Sequence, residues 1–231
     1  MTRSVLAAWG VHFYTAFGAV LGFLALEAIA GGGYRSAFIL MAVATFIDST
    51  DGTLARRAKV KQVLPQFDGA KLDDIVDYLN YVVVPVVLAY HAGFLPFGAT
   101  GLIVGSLPLL ASGYGFCQTA AKTPDHFFTG FPSYWNVVVL YFYALASPQW
   151  FNITVLALLS LLVFVPIKYL YPSRNPTARK TTHVLGVLWA ICMVALLVQT
   201  TPSRRLALLS LFFPIYYFAV SLHLHFRDTR R

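Results

Sequence analysis

The sequence predicts an all-α, polytopic membrane protein with about eight transmembrane helices, and three observations support this fold class. The chain of 231 residues is 58% hydrophobic and only 11% charged, with a mean hydropathy of +0.68. These values lie outside the range of soluble globular proteins. Apolar runs close to the roughly 20 residues that a helix needs to cross a bilayer recur along the chain. Basic residues collect in alternate loops. We therefore expect one membrane-embedded domain over residues 1–231.

Eight apolar segments are candidates for membrane-spanning helices. They cover residues 5–30, 34–54, 75–94, 98–120, 132–148, 150–172, 183–200 and 204–224. The second segment is the weakest, because its C-terminal end enters a stretch rich in Asp. Short turns with Pro and Gly separate several neighbours, as is typical of antiparallel helical hairpins.

The basic residues predict the orientation of the helices. All but three of the 17 Lys and Arg residues fall on the side that carries both termini, and the exceptions are Arg35, Arg204 and Arg205. Cytoplasmic loops of membrane proteins carry an excess of Lys and Arg. We therefore expect both termini and the Asp-rich stretch to be cytoplasmic. The net charge of +8 need not indicate nucleic acid, because basic loops that face anionic lipid give the same balance, and we expect no nucleic-acid partner.

The Asp-rich stretch, residues 48–77, lies between two apolar runs, where charge is costly. Most of the nine acidic residues of the chain lie in it: Asp48, Asp51, Asp68, Asp73, Asp74 and Asp77. In a helix, Asp48 and Asp51 share one face, and Asp73 and Asp77 share one face of a second helix beyond Pro65. Two helices that meet here would bring four carboxylates together.

Four neighbouring carboxylates remain ionised together only when cations lie between them. Ligands that are all oxygens favour Mg²⁺ or Mn²⁺. Gly52 and Gly69 leave room for a ligand close to the backbone, and Arg56 offers a charge for phosphate. The alternative is a solvated loop with helix-capping aspartates, and we assign Asp68 and Asp74 to capping or solvent.

The spacing D-x2-D-G-x2-A-R-x12-G-x3-D-x3-D, from Asp48 to Asp77, resembles the motif of the CDP-alcohol phosphotransferases, which are membrane enzymes. The twelve residues between Arg56 and Gly69 resemble the spacing of a bacterial branch, the phosphatidylcholine synthases. The eight-helix layout and the stretches 12–19, 117–136 and 165–175 resemble that branch too.

The resemblance implies a function and a set of site residues. It implies that CDP-diacylglycerol and choline react to give phosphatidylcholine and CMP in the bacterial inner membrane, in an enzyme that can form a homodimer. It implies two divalent ions, Mn²⁺ or Mg²⁺, on Asp48, Asp51, Asp73 and Asp77, with Asp77 as the general base. It also implies a CDP site lined by Gly52, Ala55, Arg56, Gly69 and, near the first helix, Thr15.

Choline carries a quaternary ammonium, which proteins usually bind with aromatic faces. Candidate aromatic residues are Tyr78, Tyr81, Tyr134 and Trp135. Asp125 is a candidate to balance the ammonium charge, and Lys168 and Arg174 are candidates to bind lipid phosphate. Tyr and Trp also collect at membrane interfaces without any ligand.

Two kinds of alternative function stay open from the sequence. Inositol, serine or glycerol 3-phosphate could replace choline as the acceptor, although a phosphate-bearing acceptor would favour a dense cluster of Arg and Lys. An ion-coupled transporter is the alternative from another class, because it too places carboxylates among transmembrane helices.

Overall fold

Two long helices open the fold in the computed structural model. The structure describes residues 2–121, 123, 125, 127–171 and 179–229. Helix α1 (Arg3–Ala30) and helix α2 (Tyr34–Arg57) are joined by three glycines, and Gly32 adopts a positive φ of 74° that glycine tolerates best. The connection is so short that the two helices pack as an antiparallel pair. Asp48 and Asp51 therefore lie near the end of α2 that is close to the start of α1.

The third helical stretch carries the second part of the Asp-rich segment. A short helix α3 (Val60–Val63) precedes Pro65, and α4 (Gly69–Asp77) then continues through a π-helix (Tyr78–Val83) into α5 (Val84–His91). Pro85 lacks an N–H, and in a regular helix its ring would press against the carbonyl of Tyr81. A widened turn of this kind relieves such a clash, and π-turns occur often at functional sites.

Glycines let α1 approach this third stretch closely. A Cβ atom at Gly18 would lie 2.6 Å from Val76 Cγ1, and one at Gly22 would lie 2.7 Å from Leu79 Cδ2. Two small residues four positions apart form the type of stripe that brings membrane helices together. The close approach places the polar side chains of α1 beside those of α4.

The middle of the chain forms three helices and a small sheet. The helices are α6 (Ala99–Cys117), α7 (Trp135–Leu145) and α8 (Gln149–Phe164). Strands β1 (Phe127–Thr129) and β2 (Lys168–Leu170) pair antiparallel. The sequence did not predict this sheet, and the helices predicted at 132–148 and 150–172 are shorter than expected.

The last helices are α9 (Arg179–Val198), α10 (Arg204–Ser210) and α11 (Phe212–Thr229). The guanidinium of Arg35, at the start of α2, donates to the carbonyls of Leu197 and Val198 at 2.8 and 2.6 Å. A cation at this position satisfies carbonyls that the end of α9 leaves unpaired. The bond joins the beginning of α2 to the end of α9.

Helices dominate the structure and confirm a helical membrane protein. Among the described residues, five helical stretches are long and apolar enough to cross a membrane: α1, α2, α6, α9 and Arg204–Arg227. Helices α7 and α8 are apolar but have only 11 and 16 residues. The number of eight spans therefore stays a prediction.

Candidate active site

Carboxylates from two helices meet at one end of the bundle. Asp48 lies on α2, Asp73 and Asp77 lie one turn apart on α4, and one oxygen of each falls within 4.8 Å of the others. Asp51, the fourth carboxylate of the sequence motif, lines the same small cavity and is buried. The helical faces predicted from the spacing thus bring the four side chains to one place.

The arrangement of these oxygens fits a cation. At such separations each pair of ionised carboxylates repels by about 3 kcal/mol for an effective dielectric constant of about 20. Oxygens bound to one Mg²⁺, Mn²⁺ or Ca²⁺ at about 2.0–2.4 Å lie no more than about 4–5 Å apart. The cavity has a volume of about 10 Å³, which is enough for one water molecule or one ion. The acidic group of Asp48, Asp73 and Asp77 could therefore bind a metal ion.

Hydroxyl groups from other helices hold both carboxylates of α2. Thr15 Oγ1 on α1 donates to Asp51 Oδ2 at 2.7 Å, and the hydroxyl of Tyr81 in the π-helix donates to Asp48 Oδ2 at 2.7 Å. Both contacts are largely shielded from solvent. Thr15 lines the cavity with the carboxylates, and its hydroxyl is engaged with Asp51.

Asn80 is a further polar residue in the wall of this cavity, and no motif in the sequence indicated it. Its Nδ2 donates to the carbonyls of Gly18 and Val76 at 2.9 and 3.0 Å, so the amide orientation is fixed. Its Oδ1 is buried and has no hydrogen-bond partner among the described residues. The side chain joins α1 to the stretch that carries Asp73 and Asp77.

A second, larger cavity of about 220 Å³ opens beside the first and shares Asp48, Asp77 and Tyr81 with it. Asp74 adds a third carboxylate to its lining. Its aromatic residues are Tyr81, Phe116, Phe128, Phe131 and Tyr134. None of the described residues that line it is a Lys, Arg or His. The chemistry of this cavity is aromatic and acidic, and it suits a small organic cation.

The segment between β1 and α7 forms one wall of this cavity. Ser133 has a φ of 58°, which is rare for a residue with a side chain, and its hydroxyl is hydrogen-bonded to Ser112 at 2.8 Å. The indole N–H of Trp135 donates to the same Ser112 hydroxyl at 2.7 Å. Trp135 is fully buried and does not line the cavity, so it supports the wall from behind.

The other residues predicted to contact choline or lipid phosphate have different surroundings. Tyr78 donates its hydroxyl to the carbonyl of Leu109 and lies outside the lining of both cavities. Asp125 is ion-paired with Lys168 at 2.6 Å, and the hydrogen bond from this lysine lowers the pKa of Asp125. Arg174 lies outside the described residues.

Four of the five residues predicted to bind CDP lie on the last turns of α2 and the first turn of α4, and Thr15 lies on α1. Arg56 is exposed and donates to Thr53 Oγ1 at 2.9 Å. Gly52 and Ala55 precede it on α2, and Gly69 begins α4 after Asp68, which caps that helix, one of the two roles expected for it. A Cβ at Gly69 would lie 2.5 Å from the ring of His12, so contact with this imidazole already requires glycine there.

The sequence is similar over most of its length to several known phosphatidylcholine synthases. The chain is 43% identical over 207 residues to a phosphatidylcholine synthase of Legionella pneumophila. The aligned region covers 87% of the chain and 81% of that protein. It is 38% identical to the phosphatidylcholine synthase of Pseudomonas aeruginosa over 89% of the chain and 86% of the relative. The Borreliella burgdorferi enzyme of the same name is 32% identical over 99% of the chain and 98% of the relative. No family model matches the sequence.

Proposed function

Because the chain belongs to the phosphatidylcholine synthases, a branch of the CDP-alcohol phosphotransferases, we propose that it joins CDP-diacylglycerol to choline. The hydroxyl oxygen of choline forms a bond to the phosphorus on the diacylglycerol side. The bond from that phosphorus to CMP breaks, and phosphatidylcholine, CMP and the hydroxyl proton are released. No covalent intermediate with the protein is needed.

The acidic, aromatic lining of the larger cavity is the observation that supports choline. Its rings offer π-faces to a quaternary ammonium, and Asp74, which lies outside the proposed set of metal ligands, complements the positive charge. Glycerol 3-phosphate would bring a phosphate to a wall without a Lys or Arg among its described residues, where it would be repelled. Inositol carries no charge, so a carboxylate in the cavity wall would not strengthen its binding through an ionic interaction.

Asp48, Asp51, Asp73 and Asp77 would hold the divalent ions, Mg²⁺ or Mn²⁺. The small cavity accommodates one ion, and the proposal of a second ion rests on the family motif. Bound there, the ions would act as Lewis acids that neutralise charge on the diphosphate and on the departing CMP. The three carboxylate oxygens within 4.8 Å and the buried Asp51 beside them support this assignment.

Asp77 is the proposed general base. It is a lining residue of both cavities, so its carboxylate lies where the choline hydroxyl and the donor phosphate would meet. An ionised carboxylate there accepts the hydroxyl proton as the oxygen attacks. The aromatic wall orients the ammonium and thereby limits the approach of the hydroxyl to the side that faces Asp77.

The donor would bind at the ends of α2 and α4. We assign Gly52, Ala55, Arg56 and Gly69 to the CDP moiety, with Thr15 beside it through its bond to Asp51. The acyl chains would stay in the bilayer. We place the site and both termini on the cytoplasmic side of a bacterial inner membrane, as the basic loops favour, and leave a homodimer as part of the proposal.

A reaction with purified protein tests the function. Protein in detergent or nanodiscs would receive CDP-diacylglycerol, Mg²⁺ or Mn²⁺, and either labelled choline, serine, inositol or glycerol 3-phosphate. We expect release of CMP and labelled lipid with choline, at least ten times faster than with any other acceptor. The reason is the aromatic and acidic cavity, which favours a permanent cation.

Two results would contradict the proposal. Equal or faster CMP release with one of the other acceptors would reassign the acceptor within the family. Uptake of choline into sealed vesicles without any release of CMP would favour a transporter instead. A reaction without acceptor gives the background, because simple hydrolysis of the donor also releases CMP.

Tyr134 supplies a second prediction about the larger cavity. Its ring lies 6.3 Å from that of Tyr81 and lines the cavity wall. Replacement by Leu removes a π-face worth about 0.5–2 kcal/mol, so the KM for choline should rise about 2- to 30-fold with a smaller change in kcat. Tyr134→Phe keeps the ring and should stay within about twofold of the original KM.

The control for this change is Tyr114→Leu. Tyr114 is an exposed aromatic residue of α6 that does not line either cavity. Its removal should leave the KM for choline unchanged. An unchanged KM in an active Tyr134→Leu protein would rule out Tyr134 as a choline contact.

A further inference from the structure

Tyr81 separates the two cavities and touches both. It is a lining residue of the small cavity with the clustered carboxylates and of the larger aromatic one. The residue is 9% exposed, and its hydroxyl donates to Asp48 Oδ2 at 2.7 Å. The hydroxyl of Tyr81 therefore contacts Asp48, and Tyr81 also forms part of the wall of the larger cavity.

The position of Tyr81 follows from the local helix geometry. Tyr81 comes four residues after Asp77, which itself comes four residues after Asp73, so the three continue one stripe from α4 into the π-helix. The widened turn before Pro85 carries the tyrosine, and its hydroxyl crosses from there to α2. The hydrogen bond thereby links the two helical stretches that supply the carboxylates.

A hydrogen bond of this kind restricts the orientation of a carboxylate. Groups that hydrogen-bond to metal ligands fix the direction of their lone pairs, and their removal typically costs 10- to 100-fold in metal affinity or activity. Asp51 has a comparable partner in Thr15, but Thr15 does not line the larger cavity. Tyr81 thus both hydrogen-bonds to the carboxylate of Asp48 and lines the larger, aromatic cavity.

We propose that Tyr81 is a positioning residue with two separable parts, and this rests on the proposed function. Its hydroxyl orients Asp48 for the divalent ion, and its ring forms part of the wall against which the quaternary ammonium of the acceptor binds. The hydroxyl therefore determines the response to metal, and the ring determines the response to acceptor.

Tyr81→Phe separates the two parts, because it removes the hydroxyl and keeps the ring. We expect the concentration of Mn²⁺ that gives half-maximal activity to rise about 10- to 100-fold. The KM for choline, measured at saturating Mn²⁺, should stay within about twofold. The rise in melting temperature that Mn²⁺ causes without any substrate should shrink at a fixed, limiting Mn²⁺ concentration, which gives a readout independent of turnover.

Tyr141→Phe is the matched control. Tyr141 is also 9% exposed, and its hydroxyl is hydrogen-bonded to Ser210 at 2.9 Å and accepts from the indole N–H of Trp189 at 3.0 Å. The substitution removes one buried hydroxyl, as Tyr81→Phe does, so the melting temperature without metal should fall in both variants. The Mn²⁺ dependence should change only in Tyr81→Phe.

Tyr81→Leu is the second variant and removes both parts. It should raise the half-maximal Mn²⁺ concentration as Tyr81→Phe does, and it should raise the KM for choline as well. The proposal is overturned if Tyr81→Phe keeps the Mn²⁺ response of the unaltered protein in both assays, or if it raises the KM for choline by the same factor as Tyr81→Leu.

These outcomes are distinct from a failure of the proposed function. If the unaltered protein releases CMP with choline and Mn²⁺ but Tyr81→Phe behaves like it, only the role of Tyr81 is lost. If the unaltered protein shows no response to either Mn²⁺ or Mg²⁺ and no CMP release with choline, the proposed function itself fails.

Discussion

Replacing Asp77 by Asn should lower turnover with choline about 1,000-fold or more in a protein that still folds. Asn has the size of Asp but cannot accept the hydroxyl proton, and general-base contributions of this kind are typically 100- to 10,000-fold. The substitution also removes one of the three carboxylates whose oxygens lie within 4.8 Å of each other. Initial rates of CMP release at saturating choline and Mn²⁺ would measure the loss.

Asp68→Asn is the control for this change. Asp68 caps the start of the same helix and lines neither cavity, and Asn keeps the capping acceptor. We expect its replacement to leave turnover within about fivefold. An Asp77→Asn protein that keeps full turnover would refute the assignment of Asp77 as the base.

Removal of divalent ions should have an effect of similar size. The purified protein, dialysed against a chelator, should lose turnover by at least about 1,000-fold, because a Lewis acid supplies several kcal/mol of charge stabilisation in reactions of this type. Added Mg²⁺ or Mn²⁺ should restore it. The same ions should raise the melting temperature without substrate, because they relieve the repulsion among Asp48, Asp73 and Asp77.

The melting temperature also provides the control for the metal experiment. In an Asp73→Asn protein the carboxylate group loses one member, so the ion-dependent rise should become much smaller. Turnover that survives exhaustive chelation, together with a melting temperature that no divalent ion changes, would contradict a metal site at this position.

The sequence predicted the carboxylates well, because their geometry depends on local structure. Asp48 and Asp51 are three residues apart, and Asp73 and Asp77 are four apart, and such spacings fix a shared helical face wherever the helix packs. Asp68 was predictable as a cap for a similar reason, since its side chain accepts the N–H groups of Ala70 and Lys71. These contacts span only a few positions in the chain.

The aromatic cavity was not predictable, because residues distant in sequence build it. Phe116 ends one helix, Phe128 lies in a strand that the sequence did not reveal, and Tyr81 belongs to a π-helix. Trp135 was expected near choline from its place at a helix start, but its indole N–H is bonded to Ser112 inside the protein. Periodicity predicts which face of a helix is apolar and does not predict which neighbour covers that face.

Polar pairs gave a similar difficulty. Asp125 and Lys168 were considered separately as ligand contacts, yet the strands around them bring the two charges to 2.6 Å. Gly69 was predicted to leave room for a ligand. Its close contact with the ring of His12 is a second reason for glycine at this position, and the spacing of the motif did not indicate it. Tertiary contacts, which a single sequence does not display, explain both.

The short helix α7 has a consequence for where the two substrates meet. Its 11 residues extend for about 16 Å, a little more than half of the roughly 30 Å of hydrocarbon in a bilayer. The predicted span 132–148, of which α7 is the helical part, would need non-helical backbone over the remaining depth, and within a bilayer such backbone is tolerated only when protein surrounds it or water reaches it. We therefore expect a hydrated funnel to descend from the aqueous face toward Tyr134. In the proposed reaction, water-soluble choline would reach the site through this funnel from the aqueous side. The acyl chains of the lipid donor would remain in the hydrocarbon core of the bilayer.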